Sequence, residues 1–189
     1  MFRELYFAEP SDDGGNPFGQ GAIRSCVGPL SVNPPVVYGV DLAKSVDWTV
    51  AIGFDENGAV CRFSRYQLPW EETVRRLAHE IGDTSAIVDS TGVGDPIVER
   101  LQTVLSNVEG YKFSSPSKQH LMEGLAIAIQ TNEITYPEGV IVSELDSFGF
   151  EHSRTGVRYS APSGMHDDCV MALALAVYGR TGAPGVGVW

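Results

Sequence analysis

Along this chain the spacing of apolar positions changes from strand-like to helix-like and back. "PVVYGVDLA" reads as a strand and "DWTVAIGFD" as a second. "AVCRFSRYQL" follows as a third, with near-alternating polarity. The "DENG" between the last two, Asp55 to Gly58, is a hairpin turn in which Asn57 and Gly58 can take positive φ. Short connections predict an antiparallel three-strand meander. The period then becomes 3.6. "PWEETVRRLAHEIG" has Pro69 at its start, two glutamates in its opening turn and Gly82 at its end, which are helix signals. "SAIVDS" reads as a fourth strand, "GDPIVERLQTVLSN" as a helix capped by Asp95 with Pro96 in its first turn, and "VEGYKFS" as a fifth strand. "SPSKQHLMEGLAIAIQTN" is a long helix, "GVIVSELDSFGFEHSRTGVRYSAP" a short element leading into a hairpin, and "HDDCVMALALAVYG" a final helix.

Consecutive antiparallel strands followed by strand–helix alternation predict an α/β fold with a mixed central sheet flanked by helices. Residues 1–35 are dense in Gly, Pro, Asp and Asn ("EPSDDGGNPFGQGAIRS", "NPP") and predict an extended arm. Residues 36–180 form the folded body, and 181–189 a flexible tail.

Composition narrows the picture only moderately. At 189 residues, 43% hydrophobic and 20% charged, the chain suits one well-cored globular domain. No apolar run approaches the roughly 18 residues that span a bilayer, and the N-terminus lacks the basic-then-apolar pattern of a signal peptide. Three widely spaced cysteines, Cys26, Cys61 and Cys169, predict reduced thiols rather than a zinc cluster. The net charge of -11 runs against simple nucleic-acid binding, which ordinarily uses a basic face. Acidic excess serves solubility, but it also accommodates carboxylates gathered to hold divalent cations.

Several carboxylates fall at element boundaries within otherwise apolar sequence. Asp41 ends the first strand, Asp89 ends the fourth, and Asp167 and Asp168 open the last helix. If the first and fourth strands are neighbours, Asp41 and Asp89 emerge at the same edge, where open α/β sheets bind ligands. A terminal helix crossing the sheet brings Asp168 to the same point. Carboxylates so close repel and raise one another's pKa, which Mg²⁺ or Mn²⁺ relieves. Two such ions about 4 Å apart can activate water and stabilise the leaving oxygen of a phosphodiester. Taken singly, each aspartate reads more readily as a turn or cap residue, and Asp167 as the cap of the last helix; the set together is what points to a cation site. A helix turns about 100° per residue, so Asp167 and Asp168 do not face one point equally.

The blocks "YGVDLAKSVDWTVAI", "AIVDSTGVGDPIVERL", "SPSKQHLMEGLAIAIQTNEITYP" and "HDDCVMALALA" resemble the nuclease domain of tailed-bacteriophage large terminase subunits, a branch of the ribonuclease H-like fold. The leading "FRELYFAEPSDDGGNPFG" resembles the segment joining that family's ATPase domain to its nuclease. The resemblance implies a divalent-metal-dependent endodeoxyribonuclease that cuts concatemeric double-stranded DNA by a two-metal mechanism. Asp41, Asp89, Asp168 and Asp167 would be its catalytic metal ligands, and His166 an auxiliary. It further implies double-stranded DNA, the terminase ATPase domain, the small terminase subunit and the portal protein as partners, in the host cell cytoplasm. Lys118, Lys44, Arg154 and Arg158 are candidate DNA contacts, each otherwise ordinary surface charge. No "GxxxxGK[ST]" occurs, so P-loop ATP hydrolysis is not expected. A Holliday-junction resolvase, a transposase core and a non-catalytic module of the same fold are the competing readings. An actin-like or sugar-kinase ATPase would need two such domains.

Overall fold

The structure is a computed structural model and describes residues 15–42, 48–92, 94–153, 156–160 and 166–181. Its centre is a five-stranded sheet of β1 (Val37–Asp41), β2 (Thr49–Phe54), β3 (Val60–Tyr66), β4 (Ser85–Asp89) and β5 (Val108–Tyr111). The order across the sheet is β3-β2-β1-β4-β5. The first three strands pair antiparallel, whereas β4 joins β1 and β5 joins β4 in parallel. This is the expected meander extended by strand–helix units. In the hairpin turn only Gly58 takes a positive φ, +81°. Asn57 and Ala59 instead donate their N–H groups to Asp55 Oδ1, each at 2.9 Å.

The sheet is covered on both faces because its strands alternate between two apolar layers. Tyr38, Val40, Ala86 and Val88 point to one layer. That layer is closed by α2 (Trp70–Ile81) and α3 (Gly94–Val104), through Leu77, Ile81, Ile97 and Leu101. Val37, Ile52 and Ile87 point the other way. There they meet α4 (Ser115–Gln130), α5 (Val140–Ser147) and α6 (Asp168–Thr181). Ten consecutive residues of α6, from Asp168 to Val177, are buried, so this helix is a core element apolar all round. A hairpin of β6 (Gly149–Ser153) and β7 (Gly156–Ser160) precedes it. Asp95 is not the cap of α3 but lies inside its first turn, with Oδ2 2.9 Å from Lys112 Nζ. Among the described residues no helix is long and apolar enough to cross a membrane.

The expectation of an extended arm over 1–35 does not hold for its described part. Residues 20–25 form a short helix, α1 (Gln20–Ser25), and Phe18, Ile23 and Cys26 are fully buried. Phe18 stacks on Phe148 with ring centroids 5.6 Å apart, and Asn16 Nδ2 donates to the Leu145 carbonyl at 2.8 Å. Farther on, Ser31 and Asn33 donate to the buried Asp55 carboxylate. Burial alone would raise the Asp55 pKa, but these donors and the two turn N–H groups lower it overall. Breaker-rich composition concealed three anchoring apolar residues whose partners are distant in sequence. Residues 1–14, and the predicted tail from 182 on, lie outside the described residues.

Gly124, inside α4, has nothing within 4 Å of where a Cβ would stand. Gly124→Ala is therefore expected to stabilise the fold by about 0.5–1 kcal/mol, through helix propensity and a less flexible unfolded chain. A urea melt reads this directly, and a lower midpoint would contradict it.

Candidate metal centre

The site is built by how α6 lies on β1. At Gly39 a Cβ would fall 2.1 Å from the Ala172 carbonyl oxygen and 2.2 Å from the Ala176 nitrogen, so the helix backbone rests directly on the strand. At Gly179 a Cβ would fall 2.7 Å from Val37. Helix and strand thus run in opposite directions, with Gly179 over Val37 and Ala172 and Ala176 over Gly39. Two residues farther along β1 is Asp41, about 6.6 Å on. One turn back along α6 from Ala172 is Asp168, about 6 Å on. The two rises nearly match, so the glycine contact delivers Asp168 to Asp41.

Parallel pairing adds the next carboxylate. Gly39 faces Ile87 and Val40 faces Val88, so β1 and β4 end side by side with Asp41 and Asp89 on the same face. Asp89 Oδ1 accepts the Thr91 N–H at 2.8 Å, and Thr91 Oγ1 in turn accepts the Phe113 N–H at 2.8 Å. This chain of bonds ties Asp89 to the loop after β4 and to the end of β5. Asp41, Asp89 and Asp168 are all buried.

A cleft of about 130 Å³ opens at these strand ends. Asp41, Asp89, Asp167 and Asp168 line it together with Lys118, and Leu42, Phe113 and Met171 form its apolar walls. Lys118 stands in the first turn of α4, whose start is set by a reciprocal Ser114–Ser117 capping box. Its Nζ lies 3.6 Å from Asp167 Oδ2, both side chains about 30% exposed. A partly exposed pair of this length is worth under about 1 kcal/mol, so its effect is local charge balance rather than stability. His166 is exposed, and its Nδ1 lies 3.6 Å from Asp168 Oδ2. Among the described residues, no three His, Cys, Asp or Glu side chains already form a group that could hold a cation. The four carboxylates share the cleft without closing on one point.

The sequence-predicted candidates thus divide. Asp41, Asp89, Asp167, Asp168 and Lys118 come together, with His166 at the rim. Lys44 and Arg154 lie outside the described residues. Arg158 is placed in β7 opposite Glu151, and its side chain is not among the described atoms. Asp167 stands where a cap residue would, and its carbonyl accepts the Met171 N–H at 2.9 Å, but its carboxylate turns to Lys118.

Two polar residues beside the site escaped the sequence reading. Arg65 pairs with Val50, which pairs with Asp41, so all three occupy one row on one face of the sheet. Its guanidinium lies 3.9 Å from the Trp48 ring centroid. Glu144 is buried on α5, and its Oε2 accepts the Cys169 N–H at 2.6 Å. Burial first, and then the Glu144 carboxylate, push the Cys169 thiol well above its ordinary pKa, while Arg65 opposes them. The signal for Glu144 is present in the pattern. Ile141, Leu145 and Phe148 mark the buried face of α5 and its end, and Glu144 occupies the i+3 position of that face.

No protein-family model matches the chain. It is 30% identical over 155 residues to the terminase large subunit of Thermus virus P23-45, across 78% of this chain and 32% of that protein. The chain therefore spans about a third of the length of the curated relatives it matches. The crystal structure of the large terminase nuclease from thermophilic phage G20c with bound magnesium superposes with a TM-score of 0.74 at 26% identity, over 89% of this chain and 98% of that one. The nuclease domain of the large terminase from bacteriophage SPP1, solved with bound Mn, shares the fold at a TM-score of 0.52 and 13% identity, over 77% of this chain and 85% of its own. With its five-stranded mixed sheet and flanking helices, the chain shares the ribonuclease H-like fold of the nuclease domains of phage large terminase subunits and is similar to them in sequence.

Proposed function

We propose that this domain is a divalent-cation-dependent DNA endonuclease that cuts double-stranded DNA during phage genome packaging. The observation that carries the reading is the shared cleft of Asp41, Asp89, Asp167 and Asp168 at the carboxyl ends of β1 and β4. Its charged donors are carboxylates, with no thiol among the lining residues, and such hard oxygen donors suit Mg²⁺ and Mn²⁺. A relative of this domain carries bound magnesium, in keeping with that donor set. Asp41, Asp89 and Asp168 would hold two cations, with Asp167 as a neighbouring fourth acid. When bound, such ions supply a hydroxide-like nucleophile and stabilise charge on the leaving oxygen.

The chain's own residues do the rest. Burial of Asp41, Asp89 and Asp168 fixes their direction and excludes competing water from their flanks. Lys118, which lines the same cleft, offers an ammonium to a backbone phosphate entering it. In the absence of substrate its charge is balanced by Asp167, and a phosphate competes for it on entry. The whole packaging protein would bring the remaining partners: an ATPase domain joined through residues 1–35, the small terminase subunit and the portal protein, in the host cytoplasm. With a net charge of -11, this domain alone should bind DNA weakly, so modest activity is expected.

The test is cleavage of supercoiled plasmid by the 189-residue chain at millimolar Mn²⁺, with EDTA as the control. Nicking and linearisation that EDTA abolishes is the expected result. A folded protein that leaves the plasmid intact across a Mn²⁺ and Mg²⁺ series would instead favour a non-catalytic module.

A further inference from the structure

Glu144 does not line the cleft, yet it is 5% exposed and lies against the helix that carries Asp168. Its Oε2 accepts the Cys169 N–H at 2.6 Å, and its Oε1 is buried without a hydrogen-bond partner among the described residues. An acid buried so deeply, with one oxygen unsatisfied, is costly to place in an apolar setting, so its presence there calls for a specific task. The backbone explains which. A helix leaves its first N–H groups without internal partners, and a side chain at the cap position ordinarily accepts one of them. Asp167 occupies that position on α6, but its carboxylate is 3.6 Å from Lys118 and lines the cleft. The acceptor comes from α5 instead. Capping the helix from a neighbouring element leaves both local acids, Asp167 and Asp168, on the cleft.

We propose that Glu144 is a positioning residue: by holding the Cys169 N–H it sets the rotation and depth of the first turn of α6, and thereby aims Asp168 into the cleft. The inference rests on the reading of Asp168 as a cation ligand. Cys169 follows Asp168 directly, so a first turn freed from Glu144 can rotate and swing the Asp168 carboxylate away from Asp41. Partners that orient a metal ligand in this way typically matter about 10- to 100-fold in metal affinity.

The experiment measures Mn²⁺ affinity by titration calorimetry, well below each variant's Tm, for the wild type, Glu144→Ala, Glu144→Asp and Glu144→Gln. Glutamine keeps an acceptor oxygen at the same reach, aspartate keeps the charge but is one methylene too short, and alanine keeps neither. The expected result is an affinity about 10-fold weaker or worse for alanine and aspartate, with glutamine retaining most of it. A purely structural cap would lower the Tm and leave the affinity of the folded protein unchanged. Wild-type affinity in both Glu144→Ala and Glu144→Asp therefore overturns the proposal, as does an equal loss in Glu144→Gln. Should the alanine variant not fold, the aspartate and glutamine variants decide. A wild type that binds no Mn²⁺ overturns the proposed function itself, and this inference with it, so the two failures are distinguishable.

Discussion

Asp168→Asn should abolish nearly all Mn²⁺-supported plasmid cleavage, by orders of magnitude, while the metal-free melting point holds or rises. Asparagine preserves size and some hydrogen bonding but lacks the anionic oxygen a hard cation needs. Without metal, removing one of four carboxylates around a single cleft relieves repulsion. Opposite signs for activity and stability mark a functional acid, because a structural one loses both together. Asp167→Asn provides the comparison. Its carboxylate is about 30% exposed and pairs with Lys118 at 3.6 Å, so it should lose less activity and shift stability by under about 1 kcal/mol. The measurement is paired: initial cleavage rate and metal-free Tm for both variants. Equal activity loss in the two would show that both acids serve the ions alike. Full activity in Asp168→Asn would remove it from the site.

Gly39→Ala carries the largest expected effect on stability, about 3 kcal/mol or more. The added methyl would meet the Ala172 oxygen at 2.1 Å and the Ala176 nitrogen at 2.2 Å. Both are backbone atoms of a buried helix, so no side chain can rotate aside and the whole of α6 must lift from β1. Lifting it opens the core beneath residues such as Leu173 and Val177 and moves Asp168 away from Asp41 at the same time. Urea denaturation of Gly39→Ala beside Gly124→Ala isolates the effect, since the same chemical change occurs in open space at position 124. A destabilisation below about 1 kcal/mol would mean that α6 is not seated as described. If the variant folds, weaker Mn²⁺ binding than wild type is the accompanying result, because the same contact sets the distance between the two aspartates.

Much of the architecture was legible because its signals are local. The meander, the helix after it, the two strand–helix units that follow and the final helix were recoverable from period, turn residues and caps. Each of these depends on residues within a few positions of one another. The errors were long-range. Residues 15–28 contain the Gly and Pro of a loop, yet Phe18 reaches Phe148 and the Cys26 carbonyl accepts the Tyr136 N–H, pairings invisible to any local window. Asp95 had the composition of a cap, but α3 begins one residue earlier and the carboxylate found Lys112 instead.

The site shows the same division. That Asp41, Asp89, Asp167 and Asp168 were unusual could be read from their places at the ends of apolar elements, where a lone carboxylate loses hydration without an evident partner. Local sequence set which acids were available and which element each would begin or end. Their meeting at one cleft was decided by tertiary structure, through parallel pairing of β1 with β4 and through the absence of a side chain at Gly39. So was the division of labour at α6, where Glu144 takes the Cys169 N–H and Asp167 is left facing Lys118. The physical reason is range: propensity and capping act over one helical turn, whereas the approach of two backbones and the choice of a capping acid depend on packing between segments far apart in the chain.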